Sequence, residues 1–224
     1  MKLRRQNKRN SPNSTPPTIA RLALYSKLVL NNTTILVDIG VSDGRFISAS
    51  DHLFPNVHTK IGIDPIASYE RVADFSFVQA IIGASCTEVN FNITSDLFTS
   101  SKLYSGERSE KVQQFRLDCL LQQSQITNNE KIFLKIDSQG MDIECLESAG
   151  NFLSSIDLVL LELQMKPYAA GMNFFSESVQ RLSKLGYEPC DFLDPIDRSL
   201  DGTLGQIDLI VARKDSEVFS DLRW

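Results

Sequence analysis

The stretch Ile35-Leu-Val-Asp-Ile-Gly-Val-Ser-Asp-Gly44 decides the fold class of this chain. Its apolar first half is typical of a buried strand that runs into Asp38, and Gly40 and Gly44 then force a tight turn into a helix. A second short strand, residues 58–63, ends in Asp64-Pro65. A glycine turn that opens a helix, followed by an acid at the end of the next strand, is how a Rossmann-like sheet holds a nucleoside. The stretch therefore predicts an α/β fold that binds an adenosine-containing cofactor.

The residues predicted to hold this cofactor lie in the turn and at the end of the second strand. The glycines let the backbone approach the ligand, and the acid at the strand end accepts hydrogen bonds from ribose hydroxyls. Two other roles stay open: Asp64 is also a standard N-cap for a helix that begins at a proline, and Asp38 also fits a buried acid satisfied by neighbouring amides. The predicted cofactor-binding residues are Asp38, Gly40, Val41, Gly44, Asp64 and Pro65.

The rest of the chain alternates strands and helices, as a doubly wound sheet requires. Residues 85–93 alternate apolar and polar positions and predict an extra antiparallel strand, whereas residues 94–112 are polar and predict a long flexible loop. The last two strands, joined by a short loop, predict an antiparallel closing pair. The predicted strands cover residues 34–39, 59–63, 77–82, 131–137, 156–163, 187–192 and 206–213. The predicted helices cover 18–30, 44–53, a short segment after Pro65, 117–123, 141–149 and 174–185.

Charge is distributed unevenly along the chain. Residues 1–10 carry five basic side chains, the first acid is Asp38, and the whole chain has a net charge of −5. We therefore predict a disordered basic tail over residues 1–17 and one acidic domain over residues 18–224, with a membrane or anionic polymer as an alternative contact for the tail. An acidic folded body argues against nucleic-acid binding.

The composition predicts a cytoplasmic protein without a membrane span. No apolar segment is long enough to cross a bilayer, and the basic N-terminus is followed by polar residues and prolines rather than by an apolar signal core. The four cysteines form no Cys-x-x-Cys pair, which favours buried, reduced thiols over a disulfide or a zinc site.

The spacing of the turn glycines indicates which nucleoside cofactor fits. A dinucleotide enzyme needs a glycine where this chain has Ser42, because that residue must make room for a pyrophosphate. S-adenosylmethionine has no phosphate, and its amino-acid end can be held by the acid and the exposed amides of the turn. We therefore expect S-adenosylmethionine. An NAD-dependent oxidoreductase and a non-catalytic cofactor-binding protein remain as alternatives.

Several segments resemble the FkbM-type S-adenosylmethionine-dependent methyltransferases, from about residue 36 to the C-terminus. The most diagnostic is Leu134-Lys-Ile-Asp-Ser-Gln-Gly140, which this family places at the end of its fourth strand. The chain departs from the family pattern at Asp142, where Glu is usual, and at Val41-Ser42, where Ala-Asn is common. The other matching segments are Val37–Gly44, Arg116–Leu121, Glu144–Ala149, Val159–Glu162 and Gln206–Val211.

The resemblance implies a class I methyltransferase sandwich, a mostly parallel seven-stranded sheet with an antiparallel C-terminal strand and an extra hairpin strand. It also implies O-methylation of a small molecule, frequently at a sugar hydroxyl in a glycan or natural product.

Methyl transfer to a hydroxyl needs orientation and a base that accepts the proton. Asp137 and Glu162 end neighbouring strands at the edge where such sheets bind ligands, so we predict Asp137 as the base or orienting group and Glu162 as its partner. Structural roles are the alternative, with Asp137 capping the following helix and Glu162 paired with Lys135 or Lys166. Two close carboxylates would also suit Mg²⁺, and the sequence leaves that choice open.

Overall fold

A seven-stranded, mostly parallel sheet organises the protein. The computed structural model describes residues 17–66, 74–94, 103 and 106–220. The strands are β1 (Ile35–Ile39), β2 (Thr59–Ile63), β3 (Ser76–Val78), β4 (Ile81–Ile82), β5 (Thr87–Ile93), β6 (Arg108–Phe115), β7 (Ile132–Ile136), β8 (Ile156–Gln164), β9 (Tyr187–Asp197) and β10 (Leu204–Arg213). The main sheet has the order β3-β2-β1-β7-β8-β10-β9, with β10 antiparallel to both of its neighbours and the other pairs parallel. This confirms the predicted Rossmann-like α/β class and the antiparallel closing pair.

Helices cover both faces of this sheet, which explains why its central strands are mostly apolar. The helices are α1 (Pro17–Leu22), α2 (Arg45–Ser50), α3 (Leu117–Gln123), α4 (Asp142–Glu147) and α5 (Phe175–Lys184). Alternate residues of each strand enter two cores: Val37 and Leu134 lie in the core that contains apolar residues of α3, α4 and α5, while Leu36 and Phe133 lie in the core with α1 and α2. Asp38 and Lys135 share the second face with Leu36 and Phe133, because side chains two residues apart point the same way.

A separate three-stranded sheet corrects two of the predictions. The predicted loop over residues 94–112 is wrong from Arg108 onward, because β6 pairs antiparallel with β5 and parallel with β4. Only its Val112 and Gln114 are buried, so one face of this ribbon stays in water and the sequence lacks the apolar signal of a strand. The predicted strand over 77–82 is two strands, since the chain leaves the main sheet after Val78 and pairs with β6 at Ile81. The predicted strand over 85–93 is confirmed as β5.

The start of the described chain is less regular than its apolar spacing predicts. The single helix over residues 18–30 is wrong: α1 ends at Leu22, and 3-10 turns follow at Ala23–Tyr25 and Leu30–Asn32. Val29 has φ −130°, outside the helical region, and the turns still bury Tyr25, Val29 and Leu30. The tail is predicted over residues 1–17; residues 1–16 lie outside the described residues, and Pro17 already begins α1. The short helix predicted after Pro65 also lies outside the described residues.

The four cysteines are free, as predicted, but only Cys145 is buried and Cys86 is exposed. No helix among the described residues has the length and apolar character needed to cross a bilayer.

Candidate functional site

The turn between β1 and α2 is built around backbone conformations that glycine adopts most easily. Gly40 has φ +76° and Gly44 has φ +83°. A Cβ atom at Gly40 would lie 2.0 Å from the backbone oxygen of Asp137, so the tight approach of the β1 and β7 ends leaves no room for a side chain. The Gly40 amide donates to the carbonyl of Ile63 at the end of β2 (2.8 Å). The turn therefore joins the carboxyl ends of three neighbouring strands.

Asp64 lies beside this turn at the end of β2. Its carboxylate accepts hydrogen bonds from the backbone amides of Ser42 (3.1 Å) and Ile66 (2.8 Å). Burial raises the pKa of Asp64 to about 6, although the two amides favour its charged form. Asp64 therefore fastens the glycine turn to the second strand and still faces the cavity described next.

A cavity of about 190 Å³ opens at the carboxyl ends of β1, β2 and β7. Gly40, Asp64, Pro65 and Asp137 of the predicted site residues line it. The Ser42 side-chain oxygen is buried and has no hydrogen-bond partner among the described residues, which leaves it available to a ligand. Apolar side chains complete the wall: Ile39, Ile63, Ile66, Ala80, Ile81, Ile82 and Phe91.

The remaining predicted cofactor residues, Asp38, Val41 and Gly44, support the cavity but do not line it. Val41 is buried in the core on the α1 and α2 face, and Gly44 precedes the first residue of α2. Asp38 is fully buried and pairs with Lys135, whose Nζ lies 3.0 Å from Oδ1. The other carboxyl oxygen of Asp38 has no hydrogen-bond partner within the part of the chain that the structure describes.

Lys135 joins the two acids at the ends of β1 and β7. Its Nζ also lies 3.9 Å from Oδ2 of Asp137. Burial works against the charge of Lys135, but the attraction of Asp38 and Asp137 outweighs it and raises the pKa of the lysine. Burial likewise raises the pKa of Asp38, against the pull of Lys135. The result is a buried cation held between two acids, of which Asp137 also lines the cavity.

Asp137 stands at that rim. Its backbone amide donates to the Ile39 carbonyl (2.9 Å), and the side-chain amide of Gln139 donates to its carboxylate (3.1 Å). The side chain is 38% exposed. The alternative role of Asp137 as a cap of α4 is not observed, because the N-cap residue of this helix is Met141. Asp142, in the first turn of α4, accepts from Ser138 and from the Gly140 amide.

Glu162 is buried near the end of β8, one strand further along the sheet. Its carboxyl oxygens accept from the side-chain amides of Gln164 (2.9 Å) and Gln206. Neither lysine proposed from the sequence is its partner, since Lys135 pairs with the two aspartates and Nζ of Lys166 lies 3.5 Å from the Thr203 hydroxyl.

The hydrogen bonds found for Glu162 run to the two glutamines and not to Asp137, its predicted partner. Burial and the charges of Asp137 and other acids raise the pKa of Glu162 to about 9. The same causes, burial first and Asp137 second, raise the pKa values of Asp142 and Asp208 to about 7.

Several residues of this region were missed by the sequence reasoning. Ser42 and Gln139 have positive φ values of 51° and 55°. Serine and glutamine rarely adopt this conformation, so the sequence pattern does not predict it. Phe91 comes from β5 and Gln206 from β10, far away in sequence. Among the described residues, no group of three or more His, Cys, Asp or Glu side chains is arranged to hold a metal ion.

Comparison with known proteins identifies the family. Residues 10–189 match the family model described as the methyltransferase FkbM domain. No curated protein matches the chain.

Solved structures with a similar arrangement are distant relatives at most. A precorrin-6y C5,15-methyltransferase from Geobacter metallireducens GS-15 has 13% identity and a TM-score of 0.46 over 91% of this chain and 93% of its own. A SAM dependent methyltransferase from Archaeoglobus fulgidus has 13% identity and a TM-score of 0.43 over 89% and 95%. A ribosomal protein L11 methylase from Lactobacillus delbrueckii subsp. bulgaricus has 10% identity and a TM-score of 0.43 over 88% and 79%. Scores this low say nothing about the acceptor.

Proposed function

The chain belongs to the FkbM family of S-adenosylmethionine-dependent methyltransferases, and on that premise we propose that it methylates a hydroxyl group of a small molecule, a sugar or glycoconjugate. The observation that carries this proposal is the half-exposed carboxylate of Asp137 on the rim of the cavity beside Gly40. It is an acid within reach of both a bound cofactor and a second ligand at the same edge of the sheet.

The residues around the cavity suit S-adenosylmethionine. Asp64 offers carboxylate oxygens to the ribose hydroxyls, the isoleucines and Phe91 form an apolar wall for the adenine, and Ser42 has a buried hydroxyl without a partner among the described residues. Asp38 does not line the cavity, and we propose that it supports the turn from within the fold through its ion pair with Lys135. When bound, the cofactor supplies a sulfonium methyl group whose bonding electrons return to sulfur on transfer.

Asp137 is the proposed base. A hydroxyl attacks a methyl group far better when its proton is accepted as the new C–O bond forms, and a positioned carboxylate can accept it. Gln139 holds the carboxylate of Asp137 from one side and Lys135 attracts it from below. These two contacts orient the oxygen atoms toward the rim without burying them, as a base in contact with a changing ligand requires.

We propose methyl transfer in preference to the two alternatives, an NAD-dependent oxidoreductase and a non-catalytic cofactor-binding protein. The position of Ser42 in the turn disfavours the pyrophosphate of NAD, and a protein that only binds the cofactor has no use for an oriented acid at the rim. The acidic body disfavours a nucleic-acid acceptor. The proposed location is cytoplasmic.

A methyl-transfer screen tests the proposal. The purified protein is incubated with methyl-labelled S-adenosylmethionine and monosaccharides, nucleotide sugars or glycans, with and without EDTA, and products are read by mass spectrometry. We expect a singly methylated sugar, and the comparison with EDTA determines whether the reaction uses a metal ion. Calorimetry should detect binding of S-adenosylhomocysteine and none of NAD. Binding of NAD alone, or label in no sugar of the screen, would contradict the proposal.

A further inference from the structure

The cavity at the ends of β1, β2 and β7, lined by Gly40 and Asp64, is called the cofactor cavity below. A second cavity lies at the same edge of the main sheet, on the far side of Asp137 from the cofactor cavity. It has a volume of about 540 Å³, within the range of roughly 300–1,000 Å³ that is usual for small-molecule sites. It is formed by the segment after β8 and by the hairpin between β9 and β10, and its lining includes Gln164, Lys166, Tyr168, Ile196, Arg198 and Gln206. None of the predicted site residues lines it.

The strand order places this cavity next to the reacting centre. β8 is the neighbour of β7 on the side away from β1, and the register pairs Ile136 with Leu161, so Asp137 and Glu162 follow side by side. Gln164 and Gln206 are hydrogen-bonded to Glu162 and line the cavity. The cofactor cavity therefore covers the ends of β2, β1 and β7, and the second cavity continues along the same edge over β8, β10 and β9.

The floor of the second cavity carries oriented polar groups. Glu162 accepts the N–H groups of both glutamine side chains, which fixes the two amides and turns the carbonyl oxygen of each away from Glu162. Two fixed carbonyl oxygens are acceptors for hydroxyl hydrogens. The Met165 amide donates to the Gly205 carbonyl (2.8 Å), so the two walls that carry the glutamines are tied together.

The rim of the second cavity is apolar and open to solvent. Tyr168 is 52% exposed and Ile196 is 53% exposed, and both line the cavity. A tyrosine ring is a large, rigid surface with little conformational entropy to lose on binding. A pyranose has one apolar C–H face and a border of hydroxyl groups, which matches an aromatic rim above a floor of amide oxygens.

We propose that this cavity, the acceptor groove, binds the polyhydroxylated ring that receives the methyl group, with Tyr168 against the ring face and the Gln164 and Gln206 amide oxygens on its hydroxyls. The inference rests on the proposed function. Glu162 is then a positioning residue: it touches neither ligand and acts by holding the two amides. Arg198 is held by Asp201 (3.1 Å), and the other charged residues of the lining are one cation and one anion, Lys166 and Asp197. The groove therefore has no excess of either charge and suits an uncharged sugar.

The test compares groove variants with a matched control. Methyl glycosides of glucose, galactose, mannose and rhamnose are titrated by saturation-transfer NMR into protein saturated with S-adenosylhomocysteine, and methyl transfer to them is measured. Tyr168→Ala should weaken binding of the accepted glycoside by about tenfold, the usual loss for an aromatic anchor, and leave the calorimetric affinity for S-adenosylhomocysteine unchanged. Phe192→Ala removes an equally exposed aromatic of β9 outside the groove and should change neither.

A further variant tests the positioning role of Glu162. Glu162→Gln should raise the acceptor KM and leave kcat and cofactor affinity near the wild-type values. A purely structural role would lower the melting temperature and all three parameters together, and would overturn this assignment. If glycosides are methylated equally well by the wild type and by Tyr168→Ala, the acceptor groove is wrong while the proposed function stands. If no glycoside binds or is methylated although S-adenosylhomocysteine binds, both are wrong.

Discussion

At the scale of single residues, a substitution of Asp137 should change turnover and thermal stability to very different extents. Its charge raises the pKa values of Asp142, Glu162 and Asp208, so it makes the neighbouring acids harder to ionise. Asp137→Asn removes this repulsion and keeps the shape of the side chain. We expect turnover to fall by about 10²–10⁴-fold, the usual contribution of a general base, while S-adenosylhomocysteine binding persists. The relieved repulsion of the three acids offsets the lost attraction of Lys135, so the melting temperature should change little. Undiminished turnover would remove Asp137 from the chemistry.

Asp64 controls cofactor affinity in a pH-dependent way. Asp64→Asn should weaken S-adenosylhomocysteine binding by about tenfold or more, since a hydrogen bond to a charged group contributes about 1.5–3 kcal/mol. Because the pKa of Asp64 is raised to about 6, protonation removes an acceptor just below neutral pH. Wild-type affinity should therefore fall as the pH drops through 6, and the affinity of the variant should not. Asp51→Asn, at an exposed acid paired with Lys60, is the control in calorimetry.

Single-residue reasoning from the sequence found the acids and glycines of the site but not their partners. Asp64, Gly40 and Asp137 are recognisable because strand ends and glycine turns have local signatures. The contacts of Glu162 with Gln164 and Gln206 join β8 to β10, and a pairing between strands that are distant in sequence leaves no local pattern. The sequence places Lys135 on the same strand face as Asp137, yet the shorter contact of this lysine is with Asp38.

Among the structural elements, the turn after β1 sets the distance between the cofactor cavity and β7. Gly40→Ala places a Cβ 2.0 Å from the backbone oxygen of Asp137, and neither backbone can yield without moving a strand end. Gly202→Ala is a matched control, because Gly202 has φ +70° and a Cβ added there would meet no described atom within 4 Å. The control should cost about 1–3 kcal/mol of unfolding free energy for backbone strain alone.

The difference between these two glycine variants isolates the steric effect of the turn. Gly40→Ala should lose clearly more stability than Gly202→Ala in urea denaturation, and any folded fraction should bind S-adenosylhomocysteine poorly. Equal losses in the two variants would show that the turn relaxes freely and that its tight approach to β7 is unimportant.

The elements that the sequence predicted well are those buried on both faces, and the poorly predicted ones are half-solvated. β1, β7 and β8 have continuous apolar runs and were placed within one residue or so. β6 reads Arg108-Ser-Glu-Lys-Val, with Lys111 paired to Glu88 across the ribbon at 2.8 Å. Its stability comes from pairing with β5, and no apolar alternation marks it.

On the scale of the whole molecule, the N-terminal boundary of the domain can be located by truncation. Ile19 and Leu22 of α1 are buried, and Arg21 forms an ion pair with Asp191 of β9. Removal of residues 1–22 should cost about 3–6 kcal/mol, since burying each large aliphatic side chain is worth about 1.5–3 kcal/mol. Removal of residues 1–16, the part of the predicted basic tail that precedes α1, should leave the denaturation midpoint unchanged. A large loss on the shorter deletion would show that the tail packs on the domain.

The acids at the carboxyl edge of the sheet also set how the stability of the whole protein depends on pH. The pKa values of Asp64, Asp142, Asp208 and Glu162 are raised to about 6, 7, 7 and 9, mainly by burial. An acid whose pKa is higher in the folded state than in the unfolded state binds its proton more tightly when folded. Its stabilising contribution is complete below the unfolded value and is lost as the pH rises through the folded one.

The melting temperature should therefore fall between pH 6 and pH 9, in the range where an ordinary domain is close to its optimum. Glu162→Gln carries no charge to lose, so it should remove the fall above pH 7, where Glu162 is the one of these four acids still protonated in the folded state. It should also reduce the slope below pH 7, to which all four acids contribute. Calorimetric scans at constant ionic strength across this range measure both effects. A wild-type melting temperature that is constant or rises from pH 6 to 9 would mean that these acids are hydrated in solution, and that the buried carboxyl edge on which the proposed base depends is not formed.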